Sequence, residues 1–172
     1  MSRIVAALLS LGSSGAASAA APLPTVEHVD LSRYVGTWFE IAAFPKWFQR
    51  GCVATQATYT LRPDGDIDVV NACRKDRLDG KPREAKGKAW VVDRTSNAKL
   101  KVQFFWPFKG DYWIVALDPQ YRWAVVGNPD RDSCWILSRS RALDEATFTA
   151  LVERLRELGF DPSRLQRTLQ PE

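Results

Sequence analysis

One histidine, His28, and three cysteines with no Cys-x-x-Cys pair leave this chain little with which to hold a metal ion. A zinc site or a haem with a histidine axial ligand is not expected on ligand supply alone, and no cofactor is implied. Basic runs are also missing. The net charge is +4, one unit of it from Arg3, and it is spread along the chain. Nucleic acid is therefore not an expected partner, while a weak attraction to an anionic lipid surface stays open. Beyond the first residues charges interrupt every apolar run, so no transmembrane helix is expected. Internal repeats and low-complexity stretches are lacking as well. So is a catalytic constellation: His28 lies ahead of the patterned region without a partner, and most carboxylates fall in turns or on a helix. Glu40 is the exception, an acid on a strand.

The opening stretch MSRIVAALLSLGSSGAASAAAP carries one positive charge, a largely apolar run from Ile4 to Leu11, and then small residues. That order is the order of a secretory signal peptide. Residues 1–19 are expected to be the leader, cut after Ala19, and residues 20–172 one exported domain. A domain of that length buries about 70% of its unfolded-chain surface.

After Trp38 come short segments rich in Val, Thr, Phe, Tyr and Trp. Strands are expected over Thr37–Phe44, Val53–Leu61, Asp66–Cys73, Arg83–Val92, Ala98–Phe105, Asp111–Leu117, Tyr121–Val126 and Ser133–Ser138. RPDG, LDGKP, DRTSN, WPFKG, LDPQ and GNPDRD separate them. Their Pro, Gly and Asx residues preset turn dihedrals or bond their own backbone. Short connections at this spacing predict sequential antiparallel hairpins. From Asp144 to Leu158 the period changes, with Phe148, Leu151, Val152, Leu155 and Leu158 on one helical stripe and Gly159 and Pro162 beyond it. RLQRTLQ, Arg164–Gln170, is a candidate edge strand. Eight antiparallel strands must close or expose edges. The expected fold is all-β: an eight-stranded antiparallel up-and-down barrel with one C-terminal amphipathic helix packed outside.

Period-two alternation assigns the faces. With Trp38 inward, Glu40 (near the floor), Ala42 and Phe44 point inward too, and Phe39 and Ile41 point out, needing the cover that the helix supplies. The other inward positions are Ala57, Tyr59, Val69, Asn71, Gly87, Ala89, Val91, Val102, Phe104, Tyr112, Ile114, Ala124, Val126 and Trp135.

Gly36-Thr37-Trp38, after the turn-like DLSRYV, resembles the Gly-x-Trp signature that opens the first strand of lipocalins. LDPQYRWAVVG, Leu117–Gly127, resembles the family's landmark between the sixth and seventh strands, and Arg139 of WILSR its landmark after the eighth. GTWFEIA, GKAWVVD and LKVQFFWPFKGDYWIVALD are similar to the bacterial outer-membrane lipocalins and to their animal relatives of the apolipoprotein D type. The resemblance runs from about Leu31 to the C-terminus. It implies that Arg139 packs over Trp38 beside Gly36 to close the barrel floor. It also implies an apolar cavity for a lipophilic small molecule such as a fatty acid or lysophospholipid, lined by the inward set from Ala57 to Trp135. The residues alone leave a fully packed barrel open. Members of that bacterial group often carry a lipid on a Cys right after the leader. This chain has no Cys before Cys52, so a periplasmic or secreted protein without a covalent anchor is expected.

Trp47, Phe48, Trp106 and Phe108 are expected at the open end, interleaved with Lys46, Arg50 and Lys109. They either rim the mouth, where aromatic tips beside basic groups suit a membrane surface, or fold back over the barrel. Cys52 and Cys73 flank a hairpin that turns near Pro63-Asp64, which brings them close to opposite each other. A bridge there stabilises by about 3 kcal/mol. Cys134 is then left free, as a small hydrophobe under the helix or as a reactive thiol. A carrier is the leading expectation. The alternative is a lipocalin-like enzyme acting through Glu40, Tyr59 or Cys134.

Overall fold

The computed structural model describes residues 21–172, and the expected leader, residues 1–19 with its cut after Ala19, lies outside the described residues. A four-residue helix, α1 (Leu31–Tyr34), leads into β1 (Gly36–Ala43), and a 3-10 turn (Trp47–Gln49) follows. The strands continue as β2 (Cys52–Leu61), β3 (Ile67–Lys75), β4 (Pro82–Val91), β5 (Lys99–Phe105), β6 (Phe108–Leu117), β7 (Trp123–Gly127) and β8 (Cys134–Ser138). Then come α2 (Glu145–Glu157), a 3-10 turn (Pro162–Arg164) and the two-residue β9 (Gln166–Arg167). Every neighbouring pair from β1 to β8 is antiparallel, and β8 returns to β1, so the sheet closes. Closure removes the unpaired edges that an open sheet of this size would expose.

The turn residues act as their chemistry requires. Between β2 and β3, Gly65 takes φ +86° and donates to the Arg62 carbonyl, while the Asp64 carboxylate accepts from the Asp66 amide. Between β6 and β7 the buried Asp118 carboxylate accepts from the amides of Gln120 and Arg122 and from the Arg122 guanidinium. Those bonds hold Tyr121 at φ +61°, so β7 begins at Trp123 and not at the expected Tyr121. The β5–β6 connection is shorter than WPFKG suggests. Phe105 pairs with Phe108, which leaves only Trp106 and Pro107 between the strands.

Two cores lie on either side of the sheet. The inner one joins Trp38, Ala57, Tyr59, Ile67, Val69, Ala89, Leu100, Ile114, Ala124, Val126 and Leu137. The outer one seats Leu151, Leu155 and Leu158 of the helical segment and Phe160 on Ile41, Val115, Val125, Cys134 and Ile136. The Asp144 side chain caps α2 by accepting from the Thr147 amide, and Gly159 follows the helix at φ +83°. Ile41 thus receives its cover. Phe39 remains half-buried beneath the Arg141 guanidinium, 5.1 Å from its ring.

Alternation fails at one place in β1. The β1–β8 register slips between Glu40 and Ala42, so Ala42 pairs with Ile136 of the outer core. A bulge inserts one residue and reverses every side chain after it. Ala42 and Phe44, expected inward, therefore face outward, and Phe44 packs edge-on against Phe160 in the outer core.

Trp38 is fully buried at the closed end, and its indole N–H donates to the Tyr34 carbonyl at 2.8 Å. The Arg139 guanidinium lies 3.8 Å from the ring centroid. It donates to the carbonyls of Thr37 at 2.9 Å, Arg33 at 2.8 Å, and Tyr34 and Val35 at 3.0 Å each. Three of those carbonyls belong to α1 or its C-cap, so one planar cation both stacks on the indole and closes the end of the short helix. Gly36 takes φ +99°, and a Cβ there would stand 3.2 Å from Arg139 Nη1. A side chain at that position meets backbone strain and the guanidinium together.

Candidate functional site: the barrel interior and its mouth

The strand registers carry the expected inner-wall residues to one surface. Ala57 pairs with Asn71, Tyr59 with Val69, Val69 with Gly87, and Ala89 with Val102. Partners across a ladder share a face, so Asn71 and Gly87 stand on the interior with the rest. Val91, Val102, Phe104, Tyr112 and Trp135 pack against the inner core and are only half-buried, whereas Val69, Ala89, Ile114 and Val126 are buried. A Cβ on Gly87 would collide with the Phe104 ring at 2.7 Å, so this glycine is what lets the ring lie flat on the wall. The wall is apolar with few polar groups, the make-up of a small-molecule site.

Two interior features escaped the sequence reading. Tyr34, on α1 ahead of the strands, projects into the inner core, and its hydroxyl lies 2.7 Å from that of Tyr112. Tyr112 donates to Tyr59 at 3.0 Å. Burial pushes the hydroxyls of Tyr34 and Tyr112 well above the ordinary tyrosine range. Burial likewise pushes that of Tyr59 up to about 12, and the nearby Glu40 charge adds to the rise. All three are neutral phenols at physiological pH.

The second missed feature is the tail. β1 pairs with β2 only from Gly36 to Phe39, and beyond that the strands part. The C-terminal segment fills the seam: Gln166 and Arg167 pair with Ala43 and Ala42, the Thr168 amide donates to the Ile41 carbonyl, and the Ala54 amide donates to the Leu169 carbonyl. Gln170 Nε2 reaches the carbonyls of Glu40 and Thr55 from between the strands. Edge-strand character was legible in RLQRTLQ, but not where it would insert.

Glu40 sits at that seam. Its carboxylate is not at the floor, as expected, but under the 3-10 turn, accepting from Gln49 Nε2 at 2.9 Å and Thr168 Oγ1 at 2.5 Å. Burial raises its pKa, and those two bonds only partly oppose the rise. The folded state therefore holds this proton more tightly than the unfolded chain does. The ionised form opposes folding increasingly as pH climbs above the ordinary carboxylate range. Replacing Glu40 with Gln keeps an acceptor for Thr168 and removes the charge. The variant is expected to melt higher than the parent at pH 7, with the gap closing as pH falls below the ordinary glutamate pKa. Paired melting curves across that range check it, and a gap that widens toward acid would refute the assignment.

At the mouth, Trp47 is 82% exposed and Trp106 86%, and Phe48, Phe105 and Phe108 are exposed beside them. β1 runs from floor to mouth and β5 does the same, so the turns that follow them share one end. Trp47 and Phe48 pack edge-on against each other, 5.8 Å apart, and do not fold over the barrel. Phe105 belongs to this rim though it was expected only as a strand end; the run FFWPF is its signal. Among the basic residues Lys46 turns to Asp132, and Lys109 lies over the Trp90 ring. A cavity of about 470 Å³ lies in the seam between the 3-10 turn and the C-terminal tail, bounded by Glu40, Ala43, Trp47, Gln49, Arg167 and Thr168, and is lined by none of the inner-wall residues from Ala57 to Trp135. A depression of about 560 Å³ outside the barrel, between α2 and β6, belongs to helix packing and touches none of the inner wall.

Cys52 and Cys73 form a disulfide with Cα atoms 5.5 Å apart at the mouth end of the β2–β3 hairpin. Cys134 is fully buried in the outer core, where loss of solvent pushes its thiol up to about 12. It has the setting of a small hydrophobe and not of a nucleophile. Among the described residues no cluster of His, Cys, Asp or Glu is placed to hold a metal ion.

A closed eight-stranded meander with a tryptophan–arginine floor, an apolar wall and an open aromatic mouth defines a calyx-type binding barrel. A family model described as a lipocalin-like domain matches residues 29–170. The chain belongs to the lipocalin family. It is 45% identical over 148 residues to the outer membrane lipoprotein Blc of Escherichia coli K12, covering 85% of this chain and 82% of that protein. It is 41% identical over 157 residues to temperature-induced lipocalin-1 of Arabidopsis thaliana, covering 86% and 83%. Apolipoprotein D of Macaca fascicularis is 35% identical over 155 residues, with 86% and 80% covered. Insecticyanin from the tobacco hornworm Manduca sexta shares the fold at TM-score 0.68 and 22% identity, over 86% of this chain and 84% of that one.

Proposed function

We propose that this lipocalin is an exported binding protein that takes up a small lipophilic ligand, such as a fatty acid or lysophospholipid, and carries it between membranes. The observation that carries this reading is the contrast along the inner wall. Val69, Ala89, Ile114 and Val126 are sealed, while Val102, Phe104 and Trp135 keep access to solvent on a surface that is almost wholly apolar. Each CH₂ moved onto such a surface contributes about 0.8 kcal/mol, so a long chain binds without a specific polar contact. The enzyme alternative has less support. Both carboxylate oxygens of Glu40 are engaged and Cys134 is sealed beneath α2. Native mass spectrometry of the purified protein, followed by solvent extraction, tests the carrier. A stoichiometric lipid that leaves unchanged and rebinds supports it, and a barrel that refuses fatty acids and lysophospholipids sinks it.

The mouth suits reversible docking on a membrane. Five exposed aromatics project from two turns at this end, those after β1 and β5, and Arg50 follows the first pair. Aromatic tips partition at the headgroup level, and without a lipid anchor such contact stays reversible. Changing Trp47 and Trp106 together to Ser is expected to weaken sedimentation with phosphatidylglycerol vesicles by about tenfold or more. The melting temperature should hardly move, since neither ring is buried. Equal sedimentation of variant and parent would remove the mouth from membrane contact.

A further inference from the structure

Tyr34, Tyr59 and Tyr112 meet on the inner wall from three separate elements, and their protons can be counted. Each neutral phenol has one proton to donate. Tyr112 donates its own to Tyr59, so the 2.7 Å bond between Tyr34 and Tyr112 must be donated by Tyr34. Two bonds use two of three protons. The third, on Tyr59, has no acceptor among the described residues, although Tyr59 is only 7% exposed. It ends a chain of donors aligned head to tail, and each bond in such a chain polarises the next, making the last O–H the strongest donor of the three. One ladder step toward the mouth, Asn71 shares the inner face with Ala57, and its half-buried carboxamide makes no hydrogen bond within the described residues.

The charges around these groups are one-sided. Among the described inner-face positions from Ala57 to Trp135, Arg83 is basic but exposed toward the mouth, one ladder step beyond the Asn71–Ala85 pair, and no lysine or arginine stands at the depth of Tyr59. Arg139 lies beyond Trp38 with its donors directed to backbone carbonyls, and Glu40 is the ionisable acid of the interior. A carboxylate or phosphate pushed to this depth would lose its water, gain no cation and approach a like charge. A neutral oxygen meets none of these costs.

We infer that the lower barrel is a polar subsite for the neutral oxygen of an otherwise apolar ligand (an ester, ketone, aldehyde or alcohol), which enters head first and accepts the Tyr59 proton. The inference rests on the carrier reading above and narrows it. Asn71 supplies a second contact along the way. An anionic amphiphile rides the other way up, its chain in the barrel and its head at the mouth beside Arg50. Burial keeps the tyrosine relay protonated throughout the physiological range, so the subsite does not switch off with pH.

The test uses two probes with the same chain, methyl hexadecanoate and hexadecanoate, each labelled with ¹³C at the carboxyl carbon. On the unmodified protein the ester carbonyl stretch is expected to fall below its value in alkane solvent, reporting an accepted hydrogen bond. Tyr59→Phe should abolish that fall and weaken the ester by about three- to tenfold, the usual worth of one neutral hydrogen bond. Hexadecanoate should bind both proteins equally. An ester that binds with an unshifted carbonyl, or with equal affinity to parent and variant, overturns the subsite and leaves the carrier standing. Failure of both probes to bind overturns the carrier itself. Should Tyr59→Phe not fold, the carbonyl frequency on the unmodified protein decides the matter alone.

Discussion

Trp38→Ala is expected to lower the unfolding free energy by about 3–5 kcal/mol, the range for deleting a large buried aromatic. The residue is fully buried, so the whole indole becomes a void at the closed end. Its loss also strips the surface on which Arg139 stacks and one of the two donors to the Tyr34 carbonyl. Single domains are stable by only about 5–15 kcal/mol, so this one change takes a large share. Trp38→Phe should cost less, because it keeps part of the ring and loses the N–H. Urea unfolding with an unchanged m-value would measure both. A loss under about 1 kcal/mol for the alanine variant would mean that the floor is not a packed closure.

Removing the bridge is the second large effect. Changing Cys52 and Cys73 together to Ser is expected to cost about 2–5 kcal/mol. The damage should concentrate at the mouth. The paired stretch of β2 beyond the bridge is long, but its start is irregular: the β2–β3 register slips between Val53 and Gln56, and Ala54 adopts φ +51°. There the disulfide and the inserted tail hold the strand together. Faster amide exchange at Val53–Thr55 than at Ala57–Tyr59 in the variant would show this, whereas uniform exchange would argue that the bridge acts on the unfolded chain only. Thiol counting supplies the control. Denatured parent should show one reactive thiol, Cys134, and three after reduction, and the folded parent none.

Much of this protein could be read in its residues because much of it is local. Turn chemistry at RPDG and LDPQ, alternation along the strands, and the three- and four-residue spacing from Phe148 to Leu158 depend on neighbours in the chain. The closed barrel, the outer helix, the disulfide and most of the inner wall follow from those local patterns. The family landmarks at Gly36, Trp38 and Arg139 pointed to a contact that alternation alone could not establish.

What alternation missed lies outside its period. A period-two pattern carries no mark of an inserted residue, so the bulge at Ile41 and Ala42 reversed Phe44 into the outer core. Tyr34 lies outside the strands, where the period has no meaning, yet it completes the interior. RLQRTLQ shows strand character, but only the divergence of β1 from β2 creates the seam that it fills, and only that seam brings Thr168 to Glu40. The sequence by itself determined which segments become strands and helix and which faces are apolar, since those are set by steric and hydrophobic preferences within a few residues. Only the tertiary structure decided where the one interior carboxylate finds its partners and which tyrosine keeps a proton to give, because both depend on groups that are distant in the chain and meet when the barrel closes.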